Sequence, residues 1–129
     1  HIANKEDYVS ELYVNIPNTN YGWILEKNGN ITKIRKNNNE DFGVFNTEKE
    51  AISAKAFIEL SKIVKEANNN KTIDWKDNKQ LKYSISRRNN TLTRCYLNST
   101  YSPLVFASQE SSIESFNRDC ELWKKYYQL

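Results

Sequence analysis

The sequence predicts an α+β fold built from two tandem units, in each of which antiparallel β-strands are followed by one helix. Three observations support this prediction. An Asn-Gly pair separates two apolar, strand-like runs, a capping signal precedes an amphipathic helix, and the same order of patterns restarts about 61 residues later. Because units of roughly 50 residues are marginal alone, we expect both to pack as one compact domain.

The first unit begins with a β-hairpin. Residues 21–27 and 31–36 read as strands, and Asn28-Gly29 between them is typical of a two-residue turn in which both central residues have positive φ. A third short strand is expected at 41–45.

A helix follows this third strand. Thr47 is the expected N-cap, and Glu50 stands three residues later, so the two form a capping box. The apolar pattern then predicts a helix from residue 48 to about residue 67, ending in a run of asparagines.

The second unit repeats the same order. Strands are predicted at 82–88 and 91–97, a third at 104–106, and a helix capped by Ser108 that reaches Tyr127. The domain boundaries that follow are an N-terminal appendage or linker at 1–20, a first unit at 21–67, a connector at 68–81 and a second unit at 82–129.

A shift of 61 positions aligns the two units without gaps, which indicates an internal duplication. Similar residues coincide in the strands, at the caps and in the helices. The pairs that carry the alignment are Ile24 with Ile85, Lys33 with Arg94, Val44 with Val105, Phe45 with Phe106, Thr47 with Ser108, and Ile52 with Ile113. The two phenylalanines are therefore expected to be buried at equivalent places.

The composition argues against catalysis. The sole histidine is His1, the two cysteines (Cys95 and Cys120) are far apart, and three glycines cannot form a phosphate-binding loop. We therefore expect no enzyme activity, no cofactor and no metal. The net charge of +3 is mildly basic and permits an anionic partner. No apolar run is long enough to span a membrane, and few cysteines suggest a cytoplasmic protein.

The end of the first strand set carries a recognisable motif. Residues 43–47 read Gly-Val-Phe-Asn-Thr, and Glu50-Ala51 follow at the helix start. This resembles the three-strand-plus-helix DNA-binding domains of Apetala-type (ethylene-response) factors and the arm-binding domains of tyrosine integrases. The whole chain is also similar to short proteins of phages and mobile elements that repeat this unit. The second unit departs from the motif, with Leu104 in place of the glycine and Pro103 before it.

In the resembled domains, the sheet face opposite the helix lies in the major groove of duplex DNA. The resemblance implies that the outward strand residues contact nucleic acid, with cations on phosphates and an arginine fork on guanine. The outward residues expected are Trp23, Leu25, Lys27, Lys33 and Arg35 in the first unit and Ser84, Ser86, Arg88, Arg94 and Tyr96 in the second. Those expected to bind nucleic acid are Trp23, Lys27, Lys33, Arg35, Arg88, Arg94 and Tyr96.

Two functions remain open at this point. The first is a non-enzymatic duplex-DNA-binding module of phage or mobile-element origin, or part of a larger restriction or integrase-like protein. The second is a protein-interaction module, such as a phage inhibitor of a host defence enzyme. Two large apolar side chains on the outward face, Trp23 and Leu25, favour a covering segment or a protein partner.

Overall fold

A computed structural model describes residues 21–36, 43–69, 71–97 and 101–129, and it confirms the α+β class. Two pairs of strands alternate with helices along the chain. The elements are β1 (Tyr21–Leu25), β2 (Ile31–Arg35), α1 (Glu48–Asn68), β3 (Lys82–Arg88), β4 (Thr91–Leu97), α2 (Gln109–Arg118) and α3 (Cys120–Tyr126).

Each sheet contains two antiparallel strands, β1 with β2 and β3 with β4. Where a third strand is predicted, the structure has a single bridge, Trp23 with Phe45 and Tyr83 with Phe106. The three-strand-plus-helix units are therefore not confirmed as such. Residues 41 and 42 of the first predicted third strand, and the appendage at 1–20, lie outside the described residues.

The first hairpin turn is longer than the Asn-Gly pair predicts. The amide of Gly29 donates to the carbonyl of Glu26 (2.9 Å), and the amide of Glu26 donates to the carbonyl of Asn30 (2.8 Å). Gly29 has φ +90°, whereas Asn28 is not among the residues with positive φ. The loop is thus a three-residue turn ending in a left-handed glycine, which is the second common hairpin class.

The second hairpin has the shorter turn. Arg88 is paired directly with Thr91, so only Asn89 and Asn90 form the loop. Asn89 takes φ +57°, a conformation that asparagine tolerates better than most residues. The two hairpins therefore differ by one residue in their loops.

Both predicted helix caps are confirmed. The Thr47 hydroxyl accepts from the amide of Glu50 at 3.1 Å and donates to its carboxylate, also at 3.1 Å. The Ser108 hydroxyl likewise accepts from the amide of Ser111 at 3.2 Å. Each bond satisfies an amide that has no partner within the helix.

The C-terminal helical region is two helices, not the single helix predicted to reach Tyr127. Asp119 separates them with φ −107° and ψ 22°. Its carboxylate accepts from the Ser115 hydroxyl (2.9 Å) and pairs with Arg118 (2.9 Å). Aspartate side chains that bond to nearby groups compete with regular helix, which accounts for the break.

The chain divides into two compact units, residues 1–51 and 52–129. The division falls inside α1. The second unit has a defined apolar core, to which α1, β3, the segment at residues 104–106 and α3 contribute. Its buried members are Leu60, Val64, Ile85, Leu104, Phe106 and Trp123.

The two phenylalanines of the duplication differ in burial. Phe106 is fully buried in the core of the second unit. Phe45 is only partly buried. The expectation that both are core residues at equivalent places is therefore wrong for Phe45.

The connector before β3 is held by a buried lysine. The ammonium of Lys82 donates to the carbonyls of Asp77 (2.9 Å) and Gln80 (3.0 Å). It also lies 5.4 Å from the ring centroid of Trp75. These contacts compensate the charge for its removal from water and fix the connector to the start of β3.

The Tyr127 hydroxyl makes stability depend on pH in alkaline solution. It donates to the carbonyl of Ile85 (2.6 Å), and burial raises the pKa of Tyr127 from 10.0 to about 12. The folded state therefore holds this proton more tightly than the unfolded state, so the stabilisation is full below pH 10 and is lost as pH rises toward about 12. We expect Tyr127→Phe to remove this dependence of the unfolding free energy on pH. Urea unfolding of both proteins across this pH range tests it, and parallel pH profiles would contradict it.

Candidate nucleic-acid interface

The first hairpin presents two different faces. Residues paired directly across an antiparallel ladder lie on the same face, and the face alternates along each strand. The pairs Tyr21–Arg35, Trp23–Lys33 and Leu25–Ile31 therefore form one face, which we call the first-hairpin face. The opposite face carries Gly22, Ile24, Thr32 and Ile34.

A cation lies among aromatic rings on the first-hairpin face. The Lys33 ammonium is 4.9 Å from the ring centroid of Tyr21 and 5.9 Å from that of Trp23. Lys33 and Arg35 are exposed. The register thus brings the predicted residues Trp23, Lys33 and Arg35 together on one face.

Trp23 is held by backbone pairing on both sides. Its amide and carbonyl exchange hydrogen bonds of 2.9 Å and 2.8 Å with Phe45, which places the Phe45 position on the same face. Sequence reasoning missed Tyr21 and Phe45 as members of this surface. The signal was present for Tyr21, since it stands two residues before Trp23 in a predicted strand.

Gly22 allows the segment at residues 44–45, which forms the bridge to Trp23, to approach β1 closely. A Cβ atom at this position would collide with Cγ1 of Val44 and lie 3.0 Å from Cδ of Lys36. Only glycine leaves room for this packing on the face opposite Trp23. The close approach fixes the segment that carries Phe45 and so supports the aromatic part of the first-hairpin face.

Lys27 lies apart from the strand residues. The structure places it in the three-residue turn after β1, where it is exposed. The predicted strand at 21–27 ends instead at Leu25. Lys27 therefore adds positive charge near the hairpin tip but does not belong to the alternating face.

The second hairpin does not present its predicted residues on one face. Arg94 is paired with Ile85 and Tyr96 with Tyr83, whereas Arg88 is paired with Thr91. Arg88 thus lies on the opposite face from Arg94 and Tyr96. The predicted single outward face is wrong for this sheet.

The predicted outward serine Ser84 is also corrected. It is buried, with 5% of its surface exposed, and its hydroxyl donates to the carbonyl of Leu104 at 2.7 Å. The hydroxyl therefore serves the packing of the segment before α2. Ser86 is partly buried.

A small cavity lies where β4 meets the start of α2. We call it the second-sheet cavity, and its volume is about 210 Å³. Tyr96 is 69% exposed, and its ring lies 6.5 Å from the ring of Tyr83, nearly edge-on. The residues that line the cavity are Tyr83, Arg94, Cys95, Tyr96, Gln109 and Ser112.

Several candidate cations are available to an anion. Within the described ranges, the ion pairs are Lys55–Glu59, Arg118–Glu114, Arg118–Asp119 and Lys124–Glu121. None of these pairs in the described part of the chain uses Lys27, Lys33, Arg88 or Arg94. Among the described residues, no carboxylate therefore forms an ion pair with these four cations.

The described residues contain no group of three side chains that could hold a metal ion. Cys95 and Cys120 are free thiols, each partly buried. Among the same residues, no helix combines the length and the apolar character that crossing a membrane requires.

Comparison with known protein families, with curated proteins and with solved structures finds no match for this chain. The resemblance to Apetala-type units consequently remains a prediction from the motif at residues 43–51.

Proposed function

We propose that this protein is a non-enzymatic nucleic-acid-binding module that contacts duplex DNA with the first-hairpin face. The observation that carries the proposal is the grouping of Lys33 and Arg35 with Tyr21 and Trp23 on one side of the hairpin. A two-stranded ribbon is narrow enough to enter a major groove.

The chemistry of this face suits a phosphate backbone. Exposed lysine and arginine side chains neutralise phosphates and release condensed counterions, which supplies most of the affinity for any sequence. The guanidinium of Arg35 can also donate two hydrogen bonds to a guanine edge. Aromatic rings beside these cations add contact area without adding negative charge.

We include a tandem origin of the two halves in this proposal. The first strand of each sheet starts at positions 61 apart, Tyr21 and Lys82, and so do the helices that start at Glu48 and Gln109. The two bridges use Phe45 and Phe106, again 61 apart. These coincidences support a duplicated strand-helix unit whose second copy has diverged at its surface.

A protein-interaction module is the second candidate, and exposed apolar side chains favour it. Tyr96 is 69% exposed, Tyr101 is 70% exposed and Ile113 is 36% exposed. Large exposed apolar side chains are enriched at sites of protein contact when they form a patch. This candidate moves to first place if the protein does not bind DNA.

The test is equilibrium binding of the full chain to a fluorescent random-sequence duplex at low salt, followed by anisotropy. We expect the Lys33→Ala/Arg35→Ala variant to bind more weakly. Its plot of log affinity against log salt should be shallower by about 1.8, because each lost phosphate contact removes about 0.9.

The matched control is Lys62→Ala/Lys65→Ala, which removes two exposed charges from α1. It lowers the net charge by the same amount and should keep nearly the wild-type salt slope. Thermal unfolding of both variants shows that they are folded. No binding by the wild type, or equal loss in both double variants, would refute the proposed face.

A further inference from the structure

The second-sheet cavity has a different chemistry from the first-hairpin face. One wall is the exposed ring of Tyr96 and another is the ring of Tyr83. Arg94 lies on the same face of the sheet as these rings. It is paired with Ile85, which stands two residues after Tyr83 on β3 and so shares its face. An aromatic surface and a cation are therefore adjacent at one opening.

Arg94 lines the cavity and is exposed to solvent. Its guanidinium makes no hydrogen bond or ion pair with any described residue. Because the Arg94 side chain is not buried, its guanidinium can turn toward an anion at the cavity. Gln109, also exposed, contributes an amide that both donates and accepts hydrogen bonds.

Hydrogen bonds and burial hold the helix side of the cavity. Ser112 is 2% exposed, and its hydroxyl donates to the carbonyl of Gln109 at 2.7 Å. The Ser108 cap fixes the same turn of α2. The cavity is thus built between a capped helix and a paired strand.

The size of the cavity limits what it takes. Its volume of about 210 Å³ is below the roughly 300–1,000 Å³ of sites for drug-sized ligands and cofactors. One planar ring fits, with its attached group outside. A ring on Tyr96 and an anion on Arg94 are the two parts of a single nucleotide.

We propose that the second-sheet cavity binds one unpaired nucleotide of a nucleic acid, with the base on the Tyr96 ring and the phosphate on Arg94. The proposal rests on the proposed function only in taking nucleic acid as the ligand. It uses residues of the second sheet and predicts binding of single strands. The base is read weakly, because every base has a π-face that can stack on a tyrosine.

The experiment measures anisotropy of a fluorescent oligothymidylate with the full chain at low salt. Tyr96→Ala should weaken binding about 5- to 150-fold, the range for loss of one stacked base. Tyr96→Phe keeps the ring and should bind nearly as the wild type. Arg94→Ala should make the salt slope shallower by about 0.7, the value for one phosphate of a single strand.

Two controls remove exposed side chains that do not line the cavity. Tyr101→Ala removes a tyrosine that is 70% exposed, against 69% for Tyr96. Lys62→Ala removes an exposed cation from α1 that does not line the cavity. Both controls should bind oligothymidylate nearly as the wild type.

Free thymidine monophosphate, thymidine and inorganic phosphate serve as competitors. The monophosphate should compete better than either of its parts, since base and phosphate contacts act together. Competition by phosphate alone would reduce the site to an anion site and overturn the stacking role.

The proposal fails if the wild type does not bind oligothymidylate, if Tyr96→Ala binds as tightly as the wild type, or if the two controls lose as much. These outcomes are separable from failure of the duplex proposal. Lys33→Ala/Arg35→Ala tests duplex binding at a different surface, and each proposal can stand when the other falls.

Discussion

Phe106→Ala is expected to lower the free energy of unfolding by about 3–5 kcal/mol, the usual range for a buried aromatic side chain. Phe106 is fully buried, and its ring lies 6.3 Å from that of Trp123. Its backbone also exchanges hydrogen bonds of 3.0 Å and 2.7 Å with Tyr83. Those bonds do not involve the side chain, so the loss measures packing and the cavity left behind.

The matched variant is Phe45→Ala, at the position 61 residues earlier. Phe45 is only partly buried, so its removal should cost less than about 2 kcal/mol. Urea unfolding of both variants gives the comparison. Equal costs would contradict the difference in burial, and a cost below about 1 kcal/mol for Phe106 would contradict its place in the core.

Local signals in the sequence predicted local structure well. A hydroxyl residue before an amphipathic run located both helix starts at Thr47 and Ser108, because the cap depends only on a few neighbouring atoms. The strands of both hairpins were likewise predicted from short apolar runs on either side of a polar break. These features need no knowledge of what packs against them.

Features that depend on pairing partners were predicted less well. The third strands are single bridges at Phe45 and Phe106, since an apolar run of three residues does not say how many of them find ladder partners. The second helix breaks at Asp119, where a network of side chains outweighs the helical pattern of the flanking residues. Neither result is visible in periodicity alone.

A one-residue difference in the length of a hairpin turn changes which side chains share a surface. The turn after Arg88 has two residues, whereas that after Leu25 is longer, so the second ladder is displaced by one residue relative to the first. A displacement by one residue reverses the face of every side chain on one strand. For that reason Lys33 shares a face with Trp23, but Arg94 shares one with Ile85 and not with Ser84.

The same displacement separates the two proposed surfaces chemically. In the first hairpin, cations and aromatic rings stand on one face and favour contact along a backbone. In the second, Arg94 and Tyr96 lie beside Tyr83, next to the capped start of α2, and line a small open cavity. A sequence alignment of the halves treats Lys33 and Arg94 as equivalents, and only the register reveals their different surroundings.

Trp123→Ala is the second variant with a large expected effect, about 3–5 kcal/mol lost from the free energy of unfolding. Trp123 is fully buried, and its ring stacks against that of Tyr127 at 6.4 Å between centroids. Differential scanning calorimetry or urea unfolding measures the loss. A cost below about 1 kcal/mol would contradict the assignment of this tryptophan to the core.

The polar part of the Trp123 contribution can be separated from its packing. The indole Nε1–H donates to the Ser115 hydroxyl at 2.9 Å, and that hydroxyl donates to Asp119 at 2.9 Å. Ser115→Ala leaves the buried N–H without an acceptor, which should cost about 1–3 kcal/mol. Trp123→Phe removes the donor and keeps most of the ring.

The double variant Ser115→Ala/Trp123→Phe should lose less unfolding free energy than the sum of the two single variants. In the double variant, neither group is left buried without its partner. Strict additivity would show that this hydrogen bond does not couple α2 to α3.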